Sequence, residues 1–215
     1  MGREFGISRS AYRNSDRDTL AALWRCWHEA GLSMPPGRWT APTGLGEWTV
    51  RELYAHVGRG VWTLADLISQ PPHGRAADLP DAAGYFATLR ALGAAGAAQV
   101  AQTASAWAGA RTDDVLVDAF DVPAEKVLAA LPAARNTVVR GVAGTVRVAD
   151  YAVTRIVEAT VHLLDLRDVA PHASAPPPEA LRRAVDVLTD LSPPVDLIRL
   201  ATGRPVAAPV YPVLT

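Results

Sequence analysis

Cysteine is almost missing from this chain. Cys26 stands alone, which rules out an intramolecular disulfide framework and suits a reducing compartment. Lysine is equally scarce, Lys126 being the single one, and neither sign of charge is in excess: Lys and Arg total 21 against 22 Asp and Glu, a net charge of -1. With no basic field to draw in a polyanion, nucleic acid is not an expected partner. Long apolar runs are absent too. No segment reaches the roughly 18 uninterrupted apolar residues of a membrane span, and the opening MGREFGISRSAYRNSDRD is polar, without the apolar stretch of a secretion signal. The expectation is a cytoplasmic protein with no membrane partner.

What is present is a globular composition, with 49% hydrophobic residues in 215, enough to bury a real core. Leu20, Leu23, Trp24 and Trp27 recur at helical spacing, predicting a first helix over 16–30 with Gly31 as its stop. A loop follows through Pro35, Pro36, Gly37, Trp39, Pro42 and Gly44. Thr49 then stands three residues before Glu52, the pattern of a capping box, and predicts a second helix over 50–68. Residues 81–108 read as a long third helix weakened near Gly93 and Gly96. The stretch 110–144 is mixed, with a short helix after Pro123 and a β-rich run at 137–139. Residues 148–169 are the longest periodic segment and predict the fourth main helix, ended by Pro171. After the prolines at 176–178 comes a fifth helix over 179–191 and an extended tail.

The expected fold is therefore all-α. Four main helices form an up-down bundle over residues 1–170, and 171–215 supply a Pro-rich linker, a short helix and the tail. Bundles of this kind can form homodimers, although no exposed stripe marks an interface.

Arg155, Glu158, His162 and Asp165 follow one another in steps of three, four and three, so on a helix they share one polar stripe. Ile156, Val157, Val161, Leu163, Leu164 and Leu166 make most of the remaining surface apolar. Ionisable groups on so buried a helix need partners. Glu158 and His162, one turn apart, can reach a single cation, and His56, amid Leu53, Val57, Val61 and Leu64, is the natural third ligand. On the residues alone two bland readings also stand: a histidine in an apolar helix is commonly a satisfied core residue, and E-x-x-x-H is common as a surface pair.

The segment Trp48-Thr49-Val50-Arg51-Glu52-Leu53-Tyr54-Ala55-His56-Val57 resembles the W-T/S-V-R-D/E-L-x-A-H-L signature of the DinB-like metalloproteins. Arg155-x-x-Glu158-x-x-x-His162-x-x-Asp165 resembles the R-x-x-E-x-x-x-H-x-x-D signature of the branch that includes mycothiol-dependent maleylpyruvate isomerase. The resemblance runs from about 16 to 169. It implies a DinB-like four-helix bundle holding a divalent metal, commonly zinc, through His56, Glu158 and His162. It further implies that mycothiol or another low-molecular-weight thiol binds the metal as a thiolate and attacks a small electrophilic substrate, in an isomerase or S-transferase reaction. The stretch 170–215 offers room for one helix and a tail rather than the α/β domain that follows the bundle in that isomerase.

Arg155 and Asp165 are the remaining candidates for the catalytic machinery. Arg155 either neutralises Asp165 or Glu158 beside the metal or anchors an acidic substrate; Asp165 either orients His162 or ends the helix in a surface pair. Arg59, one turn after His56, is a candidate cofactor contact at the pocket mouth, against the reading of a solvated arginine. Cys26 and His28 fall on different helix faces and make no nucleophile pair. The tryptophans at 24, 27, 48, 62 and 107 are read as bundle packing, with room for one or two to line a pocket. His73 and His172 lie in Pro-rich loops and are read as solvated.

Overall fold

Apolar residues spaced three and four apart fold Asp16–Leu32 into α1, in a computed structural model that describes residues 11–206. Gly31 does not stop this helix. A Cβ at that position would meet Val117 Cγ2 at 2.5 Å and Tyr54 Cε1 at 3.2 Å, so the glycine is a point of close approach. The other helices are α2 (Val50–Ser69), α3 (Ala82–Arg90), α4 (Gly93–Gly109), α5 (Asp113–Asp118), α6 (Val122–Ala134), α7 (Val148–Val169), α8 (Pro178–Leu191) and α9 (Pro194–Ala201). The expected third helix is thus two helices. The weakness at Gly93 is a full break, because its φ of +57° is a left-handed conformation that α3 cannot continue through.

The mixed stretch 110–144 resolves into α5, α6 and a hairpin, with α6 at the short helix expected near Pro123 and the hairpin's first strand in the β-rich run. β1 (Val138–Gly141) pairs antiparallel with β2 (Gly144–Arg147), Val138 facing Arg147 and Gly141 facing Gly144. The hairpin launches α7 directly: the first N–H groups of that helix, on Val148 and Ala149, donate to the carbonyls of Thr137 and Arg135 at 2.9 and 3.0 Å. Beyond α8 the structure has α9 where an extended tail was expected, since Val195, Leu197, Ile198 and Leu200 follow a proline start. The expected tail also covers 207–215, which lie outside the described residues.

α2 is central, packed against α4, α6 and α7, while α1 lies on α6 and α7, and α8 lies on α1, α3 and α7. The capping box at the start of α2 forms as its spacing predicts, with Thr49 N donating to Glu52 Oε2 at 2.8 Å and Glu52 N to Thr49 Oγ1 at 3.4 Å. The second oxygen of Glu52 accepts from Ser105 of α4. Arg51 pairs with Asp113 and donates to the carbonyls of Ala108 and Arg111. The charged residues of this run therefore hold the start of α2 to the α4–α5 junction.

One buried chain of hydrogen bonds sets the spacing of the three core helices. The Tyr54 hydroxyl of α2 donates to the Trp27 carbonyl of α1 at 3.1 Å, and Trp27 Nε1 donates to the Ala159 carbonyl of α7 at 3.0 Å. Trp27 also packs edge-on against Tyr54 and stacks on Phe120, with centroids 5.0 and 5.6 Å apart. Tyr54 and Ala159 neighbour His56 and Glu158 in sequence. The level of α2 against α7 is therefore fixed where the candidate ligands stand.

Candidate metal centre

The polar stripe of α7 forms as its steps predict. Arg155, Glu158, His162 and Asp165 are half-buried, while Ile156, Val157, Leu163 and Leu166 are sealed in the core. His56 meets this stripe from α2. Its Nε2 lies 2.9 Å from Glu158 Oε2, and His162 Nε2 lies 3.4 Å from the same oxygen. The imidazole rings stand perpendicular with centroids 4.9 Å apart. One donor atom from each residue falls within 4.8 Å of the others, and these three are the single such histidine, cysteine and carboxylate cluster among the described residues. Donors around one tetrahedral zinc are about 3.4 Å apart, so two nitrogens and a carboxylate oxygen suit that ion in type and separation.

Asp165 accepts from His162 Nδ1 at 2.9 Å. In the neutral ring that bond keeps the proton on Nδ1 and leaves Nε2 available to a cation, the arrangement of a ligating histidine and its carboxylate support. Electrostatics divide the two histidines. Burial favours neutral His56 and prevails over Glu158, so its pKa is lowered. Burial opposes charge on His162 as well, but the carboxylates of Asp165 and Glu158 outweigh it and the pKa is pushed up to about 9. For Glu158, burial favours the neutral acid, yet hydrogen bonds from His162 and His56 hold it well below the usual carboxylate range. Near neutral pH the metal-free cluster thus holds a proton on His162, between the atoms a cation would join.

Trp48 walls the cluster, its ring centroid 5.0 Å from His56 and 6.1 Å from His162. Its carbonyl accepts from Thr43 N and Oγ1 at 2.9 and 2.8 Å, which pins the loop ahead of α2. Arg155 makes no ion pair with Glu158 or Asp165 among the described residues; its Nε donates to Thr154 Oγ1 at 3.1 Å. Arg59 is half-buried one turn after His56. A groove of about 550 Å³ lined by Arg13, Asp16 and Arg183 lies between α1 and α8, with none of the three candidate ligands in its wall.

Trp24 and Trp27 are core, but Trp62 is 40% exposed and packs little of the bundle. His73 is half-buried rather than solvated, its Nδ1 buried without a partner among the described residues and its Nε2 3.3 Å from Arg140. Cys26 is half-buried and burial pushes its thiol up, as befits a packing residue. Sequence reasoning missed Tyr85 and Tyr151, which stack edge-on at 5.5 Å beside Arg155. No local signal could have found Tyr85, because it comes from α3.

No curated protein and no solved structure matches this chain. The model of one family, the mycothiol maleylpyruvate isomerase N-terminal domain, matches residues 20–167. That span runs from α1 to the end of α7 and contains all three candidate ligands, so the chain belongs to the mycothiol maleylpyruvate isomerase N-terminal domain family, in the DinB-like superfamily.

Proposed function

We propose that this protein is a zinc-dependent cytoplasmic enzyme that uses mycothiol or a similar small thiol, acting as an isomerase or S-transferase on a small electrophilic metabolite. The observation that carries the reading is the convergence of His56, Glu158 and His162 from two helices on one point. Three protein ligands leave a coordination position open, as catalytic zinc requires and structural zinc does not. Zinc bound there would acidify a coordinated thiol and supply a thiolate at neutral pH. Around it, Asp165 fixes the orientation of His162, Trp48 excludes water from one side of the imidazoles, and Arg59 contacts the polar part of the thiol at the mouth.

Turnover of an unsaturated acid or an aryl halide with mycothiol is expected to need both partners. Chelation or omission of the thiol should each return the rate to background. A normal rate without thiol would end the thiol mechanism and leave a metal that activates water. Stoichiometric metal with no turnover of any electrophile would return the bundle to a ligand-binding role.

Proton competition gives a second expected result. With its pKa raised to about 9, His162 must lose a proton before Nε2 can bind a cation. Zinc affinity should therefore climb by roughly tenfold per pH unit from neutrality to about 9 and then level off. Competition against a chromogenic chelator measures this directly, and a flat profile would remove His162 from the ligand set.

A further inference from the structure

Arg155 stands one turn before Glu158 on α7, and nothing in the proposed chemistry uses it. Its guanidinium carbon lies 4.7 Å from the centre of the Tyr151 ring. Opposite, Gly60 of α2 makes room, since a Cβ there would come within 3.1 Å of Arg155 Cδ and 3.3 Å of Nη1. Tyr85 of α3 completes the cluster against Tyr151, the two tyrosines being 3% and 4% exposed. Among the described residues, no carboxylate or carbonyl accepts from the terminal nitrogens of Arg155 or from either hydroxyl; the hydroxyls lie beside each other and the guanidinium, with Glu158 the nearby carboxylate.

Such a group is costly to bury without acceptors. Arg155 is half-buried, and the one sealed side-chain polar atom lacking a partner among the described residues is His73 Nδ1, so the terminal nitrogens of Arg155 keep some exposure to solvent. Three donors from two elements, a guanidinium fork and two phenols, thus converge where an acceptor is missing. The planar fork suits a carboxylate held by two parallel hydrogen bonds.

We propose that Arg155, with the hydroxyls of Tyr85 and Tyr151, forms a carboxylate-binding subsite one helical turn from the candidate metal, holding an acid group of the electrophilic substrate. What the bound acid then undergoes rests on the proposed function; its binding does not. Residues three apart on a helix are about 5–6 Å apart, which limits the substrate to a compact acid whose reacting carbon lies about that far from its carboxylate. Glu158 is the nearby charge that opposes a second anion, and a cation bound to it offsets that repulsion. Carboxylate binding is therefore tighter in the metal-loaded protein.

The test uses trifluoroacetate as the probe, read by fluorine NMR line broadening on zinc-loaded protein of measured metal content. Wild type should bind saturably. Arg155→Met should bind about tenfold or more weakly, and the double variant Y85F/Y151F, which keeps both rings and removes only the hydroxyls, should also weaken. Zinc content should stay at the wild-type level in both. Undiminished binding in both variants would overturn the subsite and put the anion on the metal or elsewhere; no saturable binding by wild type would overturn it as well. Wild type that takes up no zinc would be a failure of the metal reading, and the same variants in metal-free protein would then decide the subsite. Should Arg155→Met not fold, the tyrosine variant decides it.

Discussion

Replacing His162 by alanine is expected to strip the protein of its metal. Protein purified without chelator or polyhistidine tag should carry about one divalent ion per chain, the number that one cluster of three ligands holds. Changing a residue that only supports a ligand costs about 10–100-fold in affinity, so losing the ligand itself should cost more than about a hundredfold. His56→Ala should behave alike. Asp165→Asn, which keeps the shape but weakens the acceptor for His162 Nδ1, should fall within the smaller range. Elemental analysis of the four proteins separates these outcomes. Wild-type metal levels in both alanine variants would place the ion elsewhere or make it adventitious.

The largest expected loss of stability lies away from this cluster, at Asp16. Its carboxylate receives Arg183 Nε at 2.9 Å and Nη2 at 3.1 Å, and Arg13 N at 2.7 Å. The two charged side chains are 2% and 3% exposed. Breaking such a pair from one side leaves a buried charge short of its counter-ion and costs about 3–5 kcal/mol. For a chain of this size Asp16→Ala should lower the melting temperature by roughly 10 °C. Asp18, whose pair with Arg17 is largely exposed, should scarcely move it. The pair joins α1 to α8, so wild type should melt in one transition that includes α8. A separate early transition for α8 would show that this helix is only appended to the bundle.

Local physics explains which parts of the molecule could be read in advance. The capping box at Thr49 and Glu52 involves residues three apart, and the stripe from Arg155 to Asp165 involves steps of three and four. Both patterns are complete within a single helix. Gly31 misled for the complementary reason: its local signal is a helix stop, but its use is to admit Val117 and Tyr54, which belong to other elements. Residues 110–144 were legible only in part: the helix after Pro123 and the β-rich run at 137–139 correspond to α6 and β1, whereas α5 and the pairing with β2 are too short to carry a periodicity of their own. Trp62 was read as packing from its residue type, and type alone does not say which side of α2 faces solvent.

The sequence by itself determined the helical class, the extents of α2 and α7, the three candidate ligands and the family signature that links them. Each is carried by residues close in the chain or by a motif that matches as written. Only the tertiary structure decided that His56 stands 2.9 Å from Glu158 across 102 residues of chain, that Trp48 walls the histidines, that Gly93 breaks a helix in two, and that Tyr85 reaches Arg155 through Tyr151. Those contacts depend on how whole helices are levelled and rotated against one another. That choice is made by the buried Tyr54, Trp27 and Ala159 hydrogen bonds and by core packing, with no spacing in the chain to announce it.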